Sequence, residues 1–168
     1  DVDAIGLVRI LADLNRGRDL SGTAITSPAS FLIGVGANPG AVGFEREVMR
    51  FHAKVEAGAE FVMTQPVYDA RLLERFLDAI KPCRIPVLAG ILPLASYRNA
   101  EFLHHEVPGM QVPEDVRERM RKAPSGEAAA QTGIDIAREA LLATRGMVEG
   151  VYVMPPLGRV ASALKVIE

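Results

Sequence analysis

Apolar residues along the chain follow two periods in alternation. Ile5, Val8, Leu11 and Leu14, with Leu7 and Ile10 alongside, recur at helical spacing and stop at Asn15-Arg16-Gly17, which predicts one helix. Residues 16–30 are rich in Gly, Ser, Thr and Asp and include Pro28, a loop composition. The period then changes. Phe31-Leu32-Ile33-Gly34-Val35-Gly36 is a short apolar run closed by Asn38-Pro39-Gly40, and the following stretch sets Phe44, Val48, Phe51 and Val55 on one helical stripe. This strand-loop-helix unit recurs. Phe61-Val62-Met63-Thr64-Gln65 predicts a second strand, followed by a helix with Leu72, Leu73, Phe76, Leu77 and Ile80 on its apolar face. Pro86 to Pro93 predicts a third strand, leading to a helix near Ser96 as N-cap, and Val151-Tyr152-Val153-Met154 a fourth, leading to a short helix from about Arg159.

The strands lack polar alternation, which is expected where both faces are covered, as in parallel sheets flanked by helices. Between the third and fourth units lie two helical segments, about 113–122 and 126–145, the second with Ser125 placed to cap it and Gly146 to stop it. An α/β protein of repeated βα units follows. Doubly wound sheets and barrels both fit that alternation. Periodicity and length alone favour an open sheet, because an eight-fold barrel needs about 250 residues and this chain has 168.

Charge and composition narrow the function classes. Lys and Arg total 19 against 21 Asp and Glu, a formal charge of −2, so no global field recruits nucleic acid or an anionic membrane. The single cysteine, Cys83, excludes an internal disulfide and suits a reducing cytoplasm. His52, His104 and His105 lack the i, i+4 spacing of a helical metal pair, so no metal site is expected. No apolar run reaches the ~20 residues of a membrane span, and no export leader is visible.

In parallel βα architectures ligands gather where strands end. Those positions here are Asn38-Pro39, Thr64-Gln65-Pro66, Gly90 to Pro93 and Pro155 to Arg159. Gln65, an amide directly after Phe-Val-Met, offers a donor and an acceptor suited to the edge of a pterin or similar heterocycle; the alternative is a strand-end amide bonding loop backbone. Arg159 opens a helix whose dipole disfavours a cation there, and is otherwise a solvated side chain. Glu47, Arg50 and Lys54 form a polar stripe on the helix from Gly43. Like charges four apart cost a few tenths of a kcal/mol unless they share an anion; the stripe is otherwise a solvated flank. Asp69 reads as a helix N-cap.

The segments Glu56-Ala57-Gly58-Ala59-Glu60-Phe61-Val62-Met63-Thr64-Gln65-Pro66-Val67-Tyr68-Asp69 and Pro86-Val87-Leu88-Ala89-Gly90-Ile91-Leu92-Pro93 resemble the methylenetetrahydrofolate reductase family. The likeness runs from about Phe31 to the end, through Val151-Tyr152-Val153-Met154 and Arg159. It implies roughly the second half of a TIM (βα)8 barrel over residues 31–168, with residues 1–30 as a helix and loop leading in. Four such strands would have two unpaired edges and an open interior, so a missing N-terminal barrel half is implied, upstream or as an associated segment. Residues 1–30 resemble the matching stretch of bacterial proteins that fuse a homocysteine methyltransferase domain to the reductase.

The resemblance also implies roles. Gln65 matches the glutamine that binds the pterin, and Arg159 an arginine near the folate or nicotinamide. Lys54 matches the lysine of the FAD-binding helix, Glu47 an acidic position, and Ala41, Phe44 and Arg50 neighbouring cofactor contacts. Asn38 stands where some members have His, Gly34 where they have a flavin-contacting Tyr, and Asn99 where a Gln contacts substrate. The family's catalytic acid, a Glu on an early strand, would belong to the missing half, so no catalytic residue is expected in this chain. The implied activity is FAD-dependent reduction of 5,10-methylenetetrahydrofolate to 5-methyltetrahydrofolate by NAD(P)H, supplying methionine synthesis, in a cytoplasmic homo-oligomer. Two alternatives remain: a flavin-free barrel enzyme acting on a pterin or phosphorylated substrate, and a non-catalytic barrel fragment.

Overall fold

The computed structural model describes residues 1–168. Its elements run α1 (Ala4–Asn15), β1 (Gly34–Ala37), α2 (Phe44–Ala57), β2 (Phe61–Pro66), α3 (Ala70–Ile80), β3 (Val87–Ile91), α4 (Tyr97–Glu106), α5 (Glu114–Lys122), α6 (Glu127–Thr144), β4 (Gly150–Val153) and α7 (Val160–Ile167). No helix is long and apolar enough to cross a membrane.

The four strands form one sheet in the order β1-β2-β3-β4, and every neighbouring pair is parallel. Gly34 lies beside Phe61, Gly36 beside Met63, Met63 beside Leu88, and Gly90 beside Tyr152. Because side chains alternate across a strand, these residues share one face. Val35, Ala37, Val62, Val87 and Ala89 share the other, where they join Phe51 of α2 and Leu73, Phe76 and Ile80 of α3 in one buried core. Each of those large side chains contributes roughly 1.5–3 kcal/mol by leaving water. A doubly wound sheet reverses its strand order and carries helices on both faces. Sequential order with the helical core on one side is instead an arc of a βα barrel, which corrects the open sheet that periodicity favours.

Local signals explain most element boundaries. Asp3, Asp69 and Ser96 cap α1, α3 and α4, accepting from the backbone N–H groups of Gly6, Arg71 and Asn99. Gly58, in the left-handed region at φ 119°, ends α2. Carboxylates hold the strand starts: Glu60 accepts from the Ile33 N–H at 2.8 Å and Glu149 from the Val87 N–H at 2.7 Å.

Three expectations need correction. The first strand begins at Gly34, not Phe31. Phe31 and Leu32 are exposed, and the Asn15 side chain ties the Phe31 backbone to the end of α1 through two hydrogen bonds. Helix α6 starts from Gly126 with no side-chain cap, so Ser125 does not serve it. It ends on Arg145 in right-handed helical geometry, not on Gly146.

Helix α6 meets the β3–α4 loop at Gly133. A Cβ there would come within 1.8 Å of the Leu94 carbonyl oxygen, whereas one at Gly146 would meet nothing within 4 Å. Gly133→Ala should therefore destabilise the full-length protein by about 3 kcal/mol through forced backbone movement, read as a fall in the urea midpoint, with Gly146→Ala as the neutral control. Equal midpoints for the two variants would refute the close approach.

Candidate active site

The helix-free face of the sheet is paved by Gly34 and Gly36 of β1, Phe61 and Met63 of β2 and Leu88 of β3. With Gln65 and Tyr152 at its rim, the region around β1 and β2 forms a hollow of about 450 Å³. The Phe61 ring lies over Gly34, where a Cβ would stand 2.2 Å from its tip. A Cβ at Gly36 would meet nothing within 4 Å, so the floor beside Phe61 is clear. Such a floor suits a flat heteroaromatic ligand.

Gln65 reaches this rim through an irregularity. Met63 pairs with Leu88 but Pro66 with Gly90, so β2 carries one extra residue against β3. A bulge of this kind bends the strand and re-aims a side chain. Thr64 Oγ1 accepts from the Gly90 N–H at 3.0 Å and donates to the Gln65 carbonyl at 2.8 Å. The Tyr152 hydroxyl donates to the Thr64 carbonyl. Gln65 itself is exposed, and its side-chain amide makes no hydrogen bond within the chain, so the strand-end alternative does not apply.

Next to Gln65 lies the end of β1, where α2 contributes two members of the polar stripe. Lys54 is buried, and its Nζ donates to the Gly36 carbonyl at 2.7 Å. Burial pushes its pKa below the ordinary lysine value, with Glu47 opposing and Arg50 adding to the shift. An ammonium has three N–H donors, and Lys54 borders a second hollow along the free edge of β1, between the strand and α1. Glu47 accepts from the Asn38 N–H at 2.9 Å. The Asn38 side chain accepts from the Gly40 N–H at 3.0 Å and donates to the Gly109 carbonyl at 2.5 Å. Asn38 and Glu47 thus shape the loop after β1 and fasten it to the α4–α5 connection.

The other stripe and loop residues point elsewhere. Arg50 faces α1, 3.9 Å from Asp3. The Arg75 guanidinium stacks over the Phe44 ring at 3.8 Å. Ala41 donates its N–H to the Asn38 carbonyl at 3.1 Å within the loop.

Arg159 and Asn99 stand apart from Gln65 and Lys54. Arg159 lines a hollow of about 550 Å³ with Ser96, Gln131, Ser162 and Lys165, between the first turns of α6 and α7. It follows a short 3-10 turn in which Leu157 takes a left-handed backbone at φ 50°. Asn99 is engaged locally: its Oδ1 accepts from the Ala95 N–H at 3.1 Å, while its own N–H donates to Ser96 Oγ at 3.1 Å. Ser96 thus caps the helix at Asn99, while the Asn99 amide reaches back to the residue before the cap.

The sequence places Thr64 and Gly90 at strand ends but does not reveal that Tyr152 joins them. A glycine inside an apolar strand was the available signal, since it marks a bulge or a close backbone approach.

Comparison with known proteins bears on the family and the fold. A probable methylenetetrahydrofolate reductase (NADPH) of Caenorhabditis elegans is 25% identical over 96 residues, covering 56% of this chain and 14% of the relative. Methylenetetrahydrofolate reductase 2 of Schizosaccharomyces pombe is 27% identical over 118 residues, covering 64% of this chain and 18% of the relative. The chain therefore spans less than a fifth of the length of either. A solved structure of an uncharacterized protein from Clostridium thermocellum, described as binding two copies of 5-methyl-5,6,7,8-tetrahydrofolic acid, superposes with a TM-score of 0.61. The match covers 92% of this chain and 66% of that one at 16% identity, and shows a shared fold. The family model for methylenetetrahydrofolate reductase matches residues 24–163, and the chain belongs to that family.

Proposed function

We propose that this chain carries part of the active site of an enzyme that reduces 5,10-methylenetetrahydrofolate to 5-methyltetrahydrofolate with a reduced nicotinamide, through FAD. The observation that carries the reading is the free amide of Gln65 at the rim of a glycine-paved apolar face. Two features support a flavin: clear space above Gly36 would admit a planar ring, and the Lys54 ammonium, which borders the adjoining hollow along the free edge of β1, has N–H groups beyond the one given to Gly36. A bound flavin supplies hydride exchange between nicotinamide and folate, chemistry that belongs to the cofactor.

The chain's own residues supply position. Gln65 presents both a donor and an acceptor to the pterin edge, fixing which ring face meets the floor. Glu47 and Asn38 hold the β1 loop rigid beneath it. Arg159, with Lys165 alongside, offers positive charge to the anionic end of an extended folate, away from the ring. The residues needed to protonate the one-carbon bridge, and the strands that pair with the free edges of β1 and β4, come from the other half of the barrel.

In the full-length enzyme, Gln65→Ala should slow reduction of the folate by about ten- to a hundredfold, the scale of one or two lost hydrogen bonds at a buried ligand. Reduction of the flavin by nicotinamide should hold its rate; equal losses in both stopped-flow half-reactions would overturn the pterin role.

Lys54→Met keeps the buried stem and removes the charge. It should weaken FAD binding about tenfold, the scale of one charged hydrogen bond, seen as a lower flavin-to-protein absorbance ratio after gel filtration. An unchanged ratio would count against the lysine as a cofactor contact.

A further inference from the structure

The pavement of the open face has one position where three strands are tied together by side chains. Tyr152 on β4 and Thr64 on β2 lie on either side of β3, and the strand between them carries Gly90. The Tyr152 hydroxyl crosses that strand to donate to the Thr64 carbonyl. Only glycine permits the crossing: a Cβ at position 90 would sit 2.8 Å from the Thr64 carbonyl oxygen and 2.9 Å from the Tyr152 hydroxyl. The same Gly90 donates its N–H to Thr64 Oγ1 at 3.0 Å and accepts from the Val67 N–H at 2.9 Å. Three polar contacts therefore converge on Thr64 and Gln65, where β2 gains its extra residue, and the Val67 bond to Gly90 closes the strand just beyond them. Burial raises the phenol's pKa above its ordinary value, so the hydroxyl keeps its proton and remains a donor.

Without these ties an extra residue in a strand has freedom to slip, because the ladder around it is interrupted. We infer that Tyr152 is a positioning residue: by gripping the Thr64 carbonyl across Gly90 it locks the β2 bulge in the form that carries the Gln65 amide to the rim. This rests on the proposed pterin-binding role of Gln65. It assigns Tyr152 no contact with the folate, and it makes Gly90 the required partner of a tyrosine two strands away from the bulge.

The test is Tyr152→Phe in the full-length holoenzyme, which keeps the ring and removes the hydroxyl, read in two independent ways. Amide hydrogen exchange is followed at Gly90 and Val67, and KM and kcat for methylenetetrahydrofolate are measured alone and in combination with Gln65→Ala. Exchange at both amides should quicken about five- to tenfold, the scale of one neutral hydrogen bond. KM for the folate should rise by a similar factor while flavin reduction by nicotinamide is unchanged. In the Gln65→Ala background, Tyr152→Phe should add nothing to KM, since residues acting through one group are not additive. Unchanged exchange at Gly90 and Val67 overturns the inference, and so do fully additive effects on KM. Quickened exchange with folate kinetics unaltered in both single variants overturns the pterin role of Gln65 instead, leaving the hold of Tyr152 on the bulge standing.

Discussion

A parallel strand cannot be followed directly by its neighbour; the chain must return along the outside of the sheet before it can pair again. When every return passes on the same side, as it does for β1 to β4, the helices stack against one face and leave the opposite face bare. The main apolar core thereby lies between sheet and helices, with Phe51, Leu73, Phe76 and Ile80 fully buried there, and a second cluster around Leu94, Val112 and Met120 joins α4, α5 and α6. The inner face keeps Gly34, Gly36, Phe61, Met63 and Leu88 for something flat, and the strands' carboxyl ends keep their loops together at one rim. Everything chemical in this chain depends on that asymmetry.

Within the rim, polar groups divide into those that build and those that remain available. Asn38, Glu47, Thr64, Tyr152 and Asn99 each have side-chain atoms engaged with backbone groups of this chain. Buried backbone groups need such partners, and a loop fixed in this way keeps its shape when a ligand arrives. Gln65 and Lys54 differ. One is an unengaged amide, the other a buried ammonium with a single carbonyl partner. Gln65 borders the hollow on the helix-free face, and Lys54 borders the neighbouring hollow along the free edge of β1, with Gly34 and Gly36 of β1 lining both.

The repeated βα organisation was legible because parallel strands buried on both sides of a barrel wall are unbroken apolar runs, and the helices between them keep a 3.6-residue stripe. The strand order was not legible, since periodicity says nothing about which strand pairs with which; family resemblance supplied the barrel. Phe31 and Leu32 read as strand because they are apolar, yet they lie exposed beside α1 near the free edge of β1. Gln65 stood out because an amide ending an apolar strand is chemically unusual. Arg159 did not reveal its direction, which follows from a 3-10 turn with one left-handed residue, Leu157. Asn99 has the composition of a ligand contact and the geometry of a cap, a distinction that only coordinates draw.

On the function proposed, the bare inner face of this arc holds a flavin able to pass electrons to a folate. The most direct measurement is an anaerobic absorbance titration of the full-length protein after FAD is added. The flavin band should bleach on addition of a reduced nicotinamide and return on addition of 5,10-methylenetetrahydrofolate. A protein that takes up no FAD, or a bleached band that the folate leaves unchanged, would contradict it.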